Sequence, residues 1–429
     1  MSLSLLQRRT LRKLTIIFSI LACSSTICVL VWFLLLGSTR HRPIDGARNH
    51  ITVNMHPTTK ATKFFIAFSF GDQLTRATES LLTLAAVAKY ADRHVVVPFV
   101  KNSSFYGTKL DQNTGTLSRY FDLKELNRKL DSYDYGLLTD WEHFQKHCNQ
   151  RLDVLLVMLY VDKTTNHSIR LSNSQRQLLE KTGWTAGLHT LNRFKGFYIN
   201  QTIYINPEIL TSLQQLENDV LRGSSCVGFR VWRGIGNHRS HFPLPSNKAR
   251  SPFSIRHEVP FNRDLLRFAH EFATKRLGQN YISVHIRTEW VLYEHGSSMT
   301  YLYECLQQLG SRVQVTKEKT GLKKIFLATD FSRFGSKSFT VREAQEKSEI
   351  LVEYLGRMLG NHETFNPDTV ELSDRGSIAI VELSILSAGK KLFLVGGGNF
   401  EDWMKNKFEK GGNNIAEKIC YRERPEQNT

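Results

Sequence analysis

The longest uninterrupted apolar stretch in the chain is LTIIFSILACSSTICVLVWFLLL at 14–36, 23 residues without a charge. At about 1.5 Å rise per residue a helix of that length crosses the roughly 30 Å hydrocarbon core of a bilayer, so the run predicts a transmembrane anchor. A cleaved signal peptide has a shorter apolar core. Arg8, Arg9, Arg12 and Lys13 crowd its N-terminal side, and only Arg40 and Arg42 follow it closely. The positive-inside bias then makes residues 1–13 a cytoplasmic tail and places everything beyond the span in the lumen. Residues 37–62, polar and rich in Gly, Ser, Pro and Asn, read as a stem.

From residue 63 the pattern changes to short apolar runs separated by segments of helical period. KFFIAFSF at 63–70 predicts a strand. Leu74, Ala77, Leu81, Leu82, Leu84 and Ala85 predict a helix, and HVVVPFV at 94–100 a second strand. Strand, helix, strand in that order is the unit of a parallel sheet. DVLLVMLYV at 153–161 reads as a buried strand and SLQQLENDVL at 212–221 as a helix. The stretch 234–258 is basic and rich in Pro and Ser, which predicts an exposed connection or binding loop and a domain boundary. A second alternating series follows: a helix at 262–277, strand YISVHI at 281–286, strand KKIFLATD at 323–330, a helix near 341–359, helix SIAIVELSILSAG at 377–389 and strand KLFLVGG at 391–397. The expected fold is α/β of the GT-B type: Rossmann-like domains at 63–255 and 256–420 facing across a cleft, with 421–429 as a tail. Ligands of such sheets sit beyond the carboxyl ends of the strands.

Charge narrows the partners. The net charge of +17 favours acidic ligands, but the basic residues are scattered and no nucleic-acid-binding motif occurs, so nucleic acid is excluded as the partner. Cys148, Cys226, Cys305 and Cys420 lie beyond the span without metal-ligand spacing, which leaves two disulfides in any of three pairings, or buried thiols. The sequons at Asn102, Asn166 and Asn200 fit a lumenal body. P-loop, nucleophile-elbow and zincin signatures are missing.

Chemistry concentrates at strand ends. His285 and Arg287 alternate at the end of YISVHIR, so their side chains should turn the same way. A guanidinium offers a permanently charged fork for diphosphate oxygens. On spacing alone, a packed histidine beside a solvated arginine fits equally. Glu382 has the chemistry to accept two hydrogen bonds from the N1 and N2 donors of guanine, or it is a surface carboxylate on its helix. Asp330 ends a strand and either contacts a ligand or caps a helix.

These segments resemble motifs of the GDP-fucose-dependent fucosyltransferases, most closely the protein O-fucosyltransferases. The resemblance runs through FFIAFSFGDQLTRATESLLTLAAVAKYADRHVVVPFV, HIR at 285–287, FLATD at 326–330 and IAIVELSILSAGKKLFLVGGGNF at 378–400, in family order. It implies that Arg287 binds the β-phosphate, that His285 and Glu382 bracket the guanine, and that Asp330 supports or contacts the nucleotide. It also implies inversion and independence of metal, in keeping with the absence of an Asp-x-Asp triplet. Two departures stand out. Gly396, Gly397, Gly398, Asn399 and Phe400 replace the hydroxyl-bearing third motif, and glycines there allow backbone N–H groups to approach a diphosphate. Glu401 and Asp402 bring negative charge to the same place, and Asn399 with Asp402 also reads as a helix cap. Asp72 replaces an asparagine, either as a general base or as a helix cap; Glu79 and Glu289 are weaker base candidates. The expected activity is transfer of fucose from GDP-fucose to a protein or glycan hydroxyl in the Golgi or endoplasmic reticulum. Two other readings compete: a degenerate fold that binds glycan or protein, and a different lumenal transferase such as a sulfotransferase.

Overall fold

The computed structural model describes residues 63–158, 171–187, 192–206, 215–232, 255–294, 298–330, 348–412 and 415–420. The expected anchor at 14–36, the stem, Asn166 and most of the 234–258 stretch lie outside them. Among the described residues no helix is long and apolar enough to cross a membrane.

Among the described residues the first series builds eleven strands: β1 (Phe64–Ala67), β2 (His94–Val96), β3 (Phe99–Lys101), β4 (Ser104–Tyr106), β5 (Gly115–Thr116), β6 (Leu138–Thr139), β7 (Arg151–Met158), β8 (Trp184–Ala186), β9 (Arg193–Phe194), β10 (Phe197–Ile205) and β11 (Cys226–Phe229). The main sheet runs β6-β2-β1-β11-β7-β10-β8. Its β6 to β10 portion is parallel, while β8 and β9 add antiparallel at the β10 edge. Phe64 to Ala67 are buried throughout, as a strand covered on both faces requires. The expected strand at 94–100 is two strands, because Pro98 has no N–H to donate and breaks the ladder. Beyond it β3 joins β4 and β5 in a separate small sheet.

Helices in this part are α1 (Leu74–Tyr90), α2 (Leu123–Ser132), α3 (Trp141–Cys148) and α4 (Asn173–Thr182). The apolar stripe predicted for α1 understates its burial: every residue from Ala77 to Ala88 is buried. Its polar members are accommodated by bonding back to the helix, Thr78 Oγ1 to the Leu74 carbonyl at 2.6 Å and Thr83 Oγ1 to that of Glu79 at 2.8 Å. At 212–221 the described part holds one π-type turn, Leu216–Val220.

The second series gives the parallel sheet β13-β12-β14-β15, from β12 (Tyr281–Ile286), β13 (Lys324–Thr329), β14 (Lys391–Val395) and β15 (Glu417–Ile419). Around it lie α5 (Arg263–Phe272), α6 (Thr288–Glu294), α7 (Met299–Thr320), α8 (Ser348–Leu359), α9 (Arg375–Ala388) and α10 (Asn399–Gly411). Disulfides join Cys148 to Cys226 and Cys305 to Cys420, each within one series, which resolves the three possible pairings.

The described residues form one compact unit. A continuous apolar cluster runs from Phe65 and Val227 through Val259 and Phe261 to Leu392 and Trp403, so both sheets share a core. Each large apolar side chain removed from water there contributes about 1.5–3 kcal/mol. The end of the 234–258 stretch corrects the expectation of an exposed loop: Arg256 is fully buried and His257 nearly so. Arg256 tolerates burial because Nη1 lies 3.4 Å from Glu79 Oε2 and its guanidinium lies over the Trp403 ring at 5.9 Å.

Candidate functional site

Register decides which residues meet. Strand β12 aligns Ile286 with Thr329 of β13 on one side and with Val395 of β14 on the other. The next residues along the three strands are Arg287, Asp330 and Gly396, so segments far apart in sequence share one carboxyl edge. Backbone bonds extend the pairing past the strand ends: Arg287 N donates to the Val395 carbonyl at 2.9 Å and Asp330 N to that of Ile286 at 3.3 Å.

Asp330 accepts from Thr288 N and Glu289 N, each at 2.9 Å. Of the roles expected for it the geometry shows capping, and it caps α6 from a neighbouring strand, which fixes the chain directly after Arg287. Burial raises its carboxyl pKa, opposed by those two backbone bonds.

The glycine turn is built around Arg287. Gly396 and Gly398 have φ of 97° and 121°, conformations that side chains rarely adopt. A Cβ on Gly398 would collide with Arg287 Nη1, and one on Gly396 would stand 2.9 Å from the Arg287 carbonyl oxygen. With no side chains there, Arg287 Nη1 donates to the Gly397 carbonyl at 3.2 Å and to Glu401 Oε2 at 3.3 Å. The arginine side chain is 36% exposed, and that of Glu401 only 1%. Among the described residues Arg287 Nε and Nη2 hold no hydrogen bond. The guanidinium is therefore anchored through one nitrogen and presents its other edge outward.

His285 turns the same way, as the alternation requires. Its Nδ1 lies 3.3 Å from Glu401 Oε1, and its ring centroid is 5.4 Å from that of Phe400. Burial, then the Arg287 charge, pushes the imidazole down to about 3. Burial pushes the Glu401 carboxyl up to about 7, against the lowering pull of Arg287. At neutral pH His285 is uncharged, so among the described residues the ionic partner of Glu401 is Arg287 alone.

Glu401 is the residue that the sequence pattern treats only as unwelcome charge, and the structure places it at the centre. Its spacing held the signal: Glu401, Met404 and Phe408 lie on one buried face of α10. The helix is capped by Gly398 without a side-chain bond, so neither Asn399 nor Asp402 is its N-cap. Asn399 instead accepts from Arg76 of α1, with the amide oriented to satisfy both groups. The start of α1 thereby reaches the glycine turn.

Other expected residues are spread around this centre. Glu382 is half-buried on α9, the helix packed on β12 and β13. Asp72 is exposed and accepts from Gln73 N at 2.7 Å; Gln73 occupies the N-cap of α1, so the capping role expected of Asp72 is displaced by one residue. Glu79 is committed to its buried pair with Arg256. Glu289 is half-buried on α6, and burial, then Asp330, raises its carboxyl pKa. Among the described residues no group of three or more His, Cys, Asp or Glu is placed to hold a metal ion.

No protein-family model and no curated protein sequence matches the chain. Solved structures do. POFUT1 in complex with GDP is 14% identical, covering 84% of this chain and 99% of that one, with a TM-score of 0.48. NodZ alpha-1,6-fucosyltransferase soaked with GDP-fucose is 10% identical over 81% of this chain and 92% of that one, at 0.38. A mutant of Arabidopsis thaliana FUT1 in complex with GDP is 10% identical over 81% and 69%, at 0.35. Each of these is a likeness of structure only. At these identities and TM-scores it carries no residue role and no activity to this chain.

Proposed function

We propose that this chain is a fucosyltransferase that moves fucose, with inversion, from GDP-fucose to a hydroxyl of a protein or glycan. The observation that supports it is Arg287, held on the glycine turn by Nη1, with Nε and Nη2 holding no hydrogen bond among the described residues, at the carboxyl edge of a parallel sheet. As the sugar–oxygen bond breaks, negative charge builds on the departing diphosphate, and a fork already fixed in place stabilises it without reorganisation. In this reading backbone N–H groups at Gly397 and Gly398 assist, with no cation required. His285 and Glu382 bracket the guanine, Asn399 and Phe400 line the donor site, and Asp330 holds the Arg287 loop. Asp72, or Glu289 with its raised pKa, accepts the acceptor proton. Domains at 63–255 and 256–420 face each other across the cleft, and the anchor at 14–36 sets a type II topology in the Golgi or endoplasmic reticulum. The two disulfides support an oxidising compartment.

The test is titration of the full chain in detergent with GDP, GDP-fucose, UDP and phosphoadenosine phosphosulfate, followed by assay of GDP release. Selective binding of the guanine nucleotides with turnover is expected, and binding of phosphoadenosine phosphosulfate alone would transfer the case to a sulfotransferase. A binding protein with a relic site is the second reading. It is favoured by Glu401, whose carboxylate occupies Arg287 where an anion should be drawn, and indifference to all four ligands would establish it.

A further inference from the structure

Glu401 is a fully buried carboxylate placed where the proposed reaction calls for positive charge. Its Oε2 is 3.3 Å from Arg287 Nη1. Its Oε1 and His285 Nδ1 face each other at 3.3 Å, both buried, and among the described residues neither completes a hydrogen bond. The carboxylate thus has one ionic partner and one unsatisfied oxygen, a costly state for a buried charge. A diphosphate arriving at the open edge of Arg287 would add at least two further negative charges that one guanidinium cannot balance. Protonation of Glu401 removes the excess. With the His285 proton on Nε2, the new O–H at Oε1 can donate to the Nδ1 lone pair, which satisfies both atoms in one step.

We infer that Glu401 is a positioning residue that couples donor binding to a proton. Ionised, it pins Arg287 while the site is empty; when a diphosphate binds, it takes one proton from solvent and turns to His285. The inference rests on the donor-site reading above.

The groups around Glu401 allow this. His285 of β12 is neutral, Arg287 lowers the carboxyl pKa, and Asp330, beyond β13, raises it. Elsewhere on α10, Arg76 engages Asn399, Lys418 of β15 pairs with Asp402 at 3.6 Å, and Lys410 meets His257. Arg256 lies near Trp403, and α9, which packs on α10, carries Glu382 and Arg375. A carboxyl already pushed up to about 7 by burial needs little further work to take the proton.

The experiment is calorimetric titration of the full chain in detergent with GDP-fucose, in paired buffers of different ionisation heat. Both phosphates of that ligand are esterified and do not titrate near neutrality, so any proton taken up enters the protein. Below about pH 7 Glu401 is already neutral and affinity should be flat; above it, affinity should fall by up to about tenfold per pH unit, with uptake approaching one proton. Glu401→Gln should abolish the uptake and keep the low-pH affinity across the range. Binding by the unmodified chain without proton uptake between about pH 6 and about pH 8.5 overturns the inference alone, as does uptake that persists in Glu401→Gln. No binding of GDP-fucose at any pH overturns the functional reading and this inference together.

Discussion

Arg287 and Glu401 divide the work of the site between a half-exposed cation and a buried anion. Truncating the cation should therefore act mainly on ligand binding. Arg287→Ala is expected to weaken GDP binding by roughly a hundredfold or more, about 3 kcal/mol, the usual loss for one partner of a charge-assisted contact. Calorimetry checks the affinity, and circular dichroism shows whether the fold survives. The anion has a signature in stability. A folded-state pKa raised to about 7 means that the native protein holds a proton the unfolded chain has released. Glu401 therefore costs nothing below the unfolded carboxyl range and progressively destabilises the fold as pH rises to about 7. Glu401→Gln removes that penalty. Its stability relative to the unmodified chain should climb across this window by a few kcal/mol and level off above it, measurable by urea denaturation at several pH values. His285, pushed down to about 3, works in the opposite sense, losing stability as pH falls below about 6.5, and is common to both proteins.

Elements hold these residues in place. The turn at 396–398 can be formed only by residues without side chains at its ends, given φ of 97° and 121° and the guanidinium pressed against it. Gly398→Ala should cost about 1–3 kcal/mol in backbone strain and, by displacing Nη1, weaken GDP binding more than melting alone suggests. The paired measurement is a thermal melt beside a GDP titration. Asp330→Ala should loosen α6 by about 1–2 kcal/mol, the usual worth of a lost cap, and raise hydrogen exchange at Thr288 and Glu289. Element boundaries were legible where the pattern was simple: YISVHI gives β12 at 281–286 with no residue displaced. They were not where a single residue overrides the pattern, as Pro98 does. The pattern reading assigns nothing to 299–320, although Leu302, Leu306, Leu309 and Val313 stand at helical spacing and are buried in the 22-residue α7.

At the scale of the molecule, two disulfides close long loops, with sequence separations of 78 and 115 residues. Replacing Cys305 and Cys420 together by serine should destabilise the protein by about 2–5 kcal/mol through the greater freedom of its unfolded chain. Thermal unfolding gives the size of the effect, and peptide mapping without reductant checks that each bridge stays within its own half. The halves are not independent bodies. Phe121 stacks on Phe261 with ring centroids 6.1 Å apart, Asn102 N donates to Asp374 Oδ1 at 2.8 Å, and Arg256 pairs with Glu79.

Periodicity and composition by themselves determined the α/β class of the fold, the order of β1, α1, α5, β12, β13, α9 and β14, and the placing of His285 and Arg287 on one side of a strand end. Those properties depend on neighbours within a few residues, where the geometry of strand and helix leaves little choice. Tertiary structure alone decided that Asp330 caps the helix after Arg287, that the cysteines pair 148 with 226 and 305 with 420, and that Glu401 lies buried between an arginine and a neutral histidine. Each of these depends on strand register and on burial. A carboxylate in a helix's first turn looks like any solvated one until the sheet beside it removes the water.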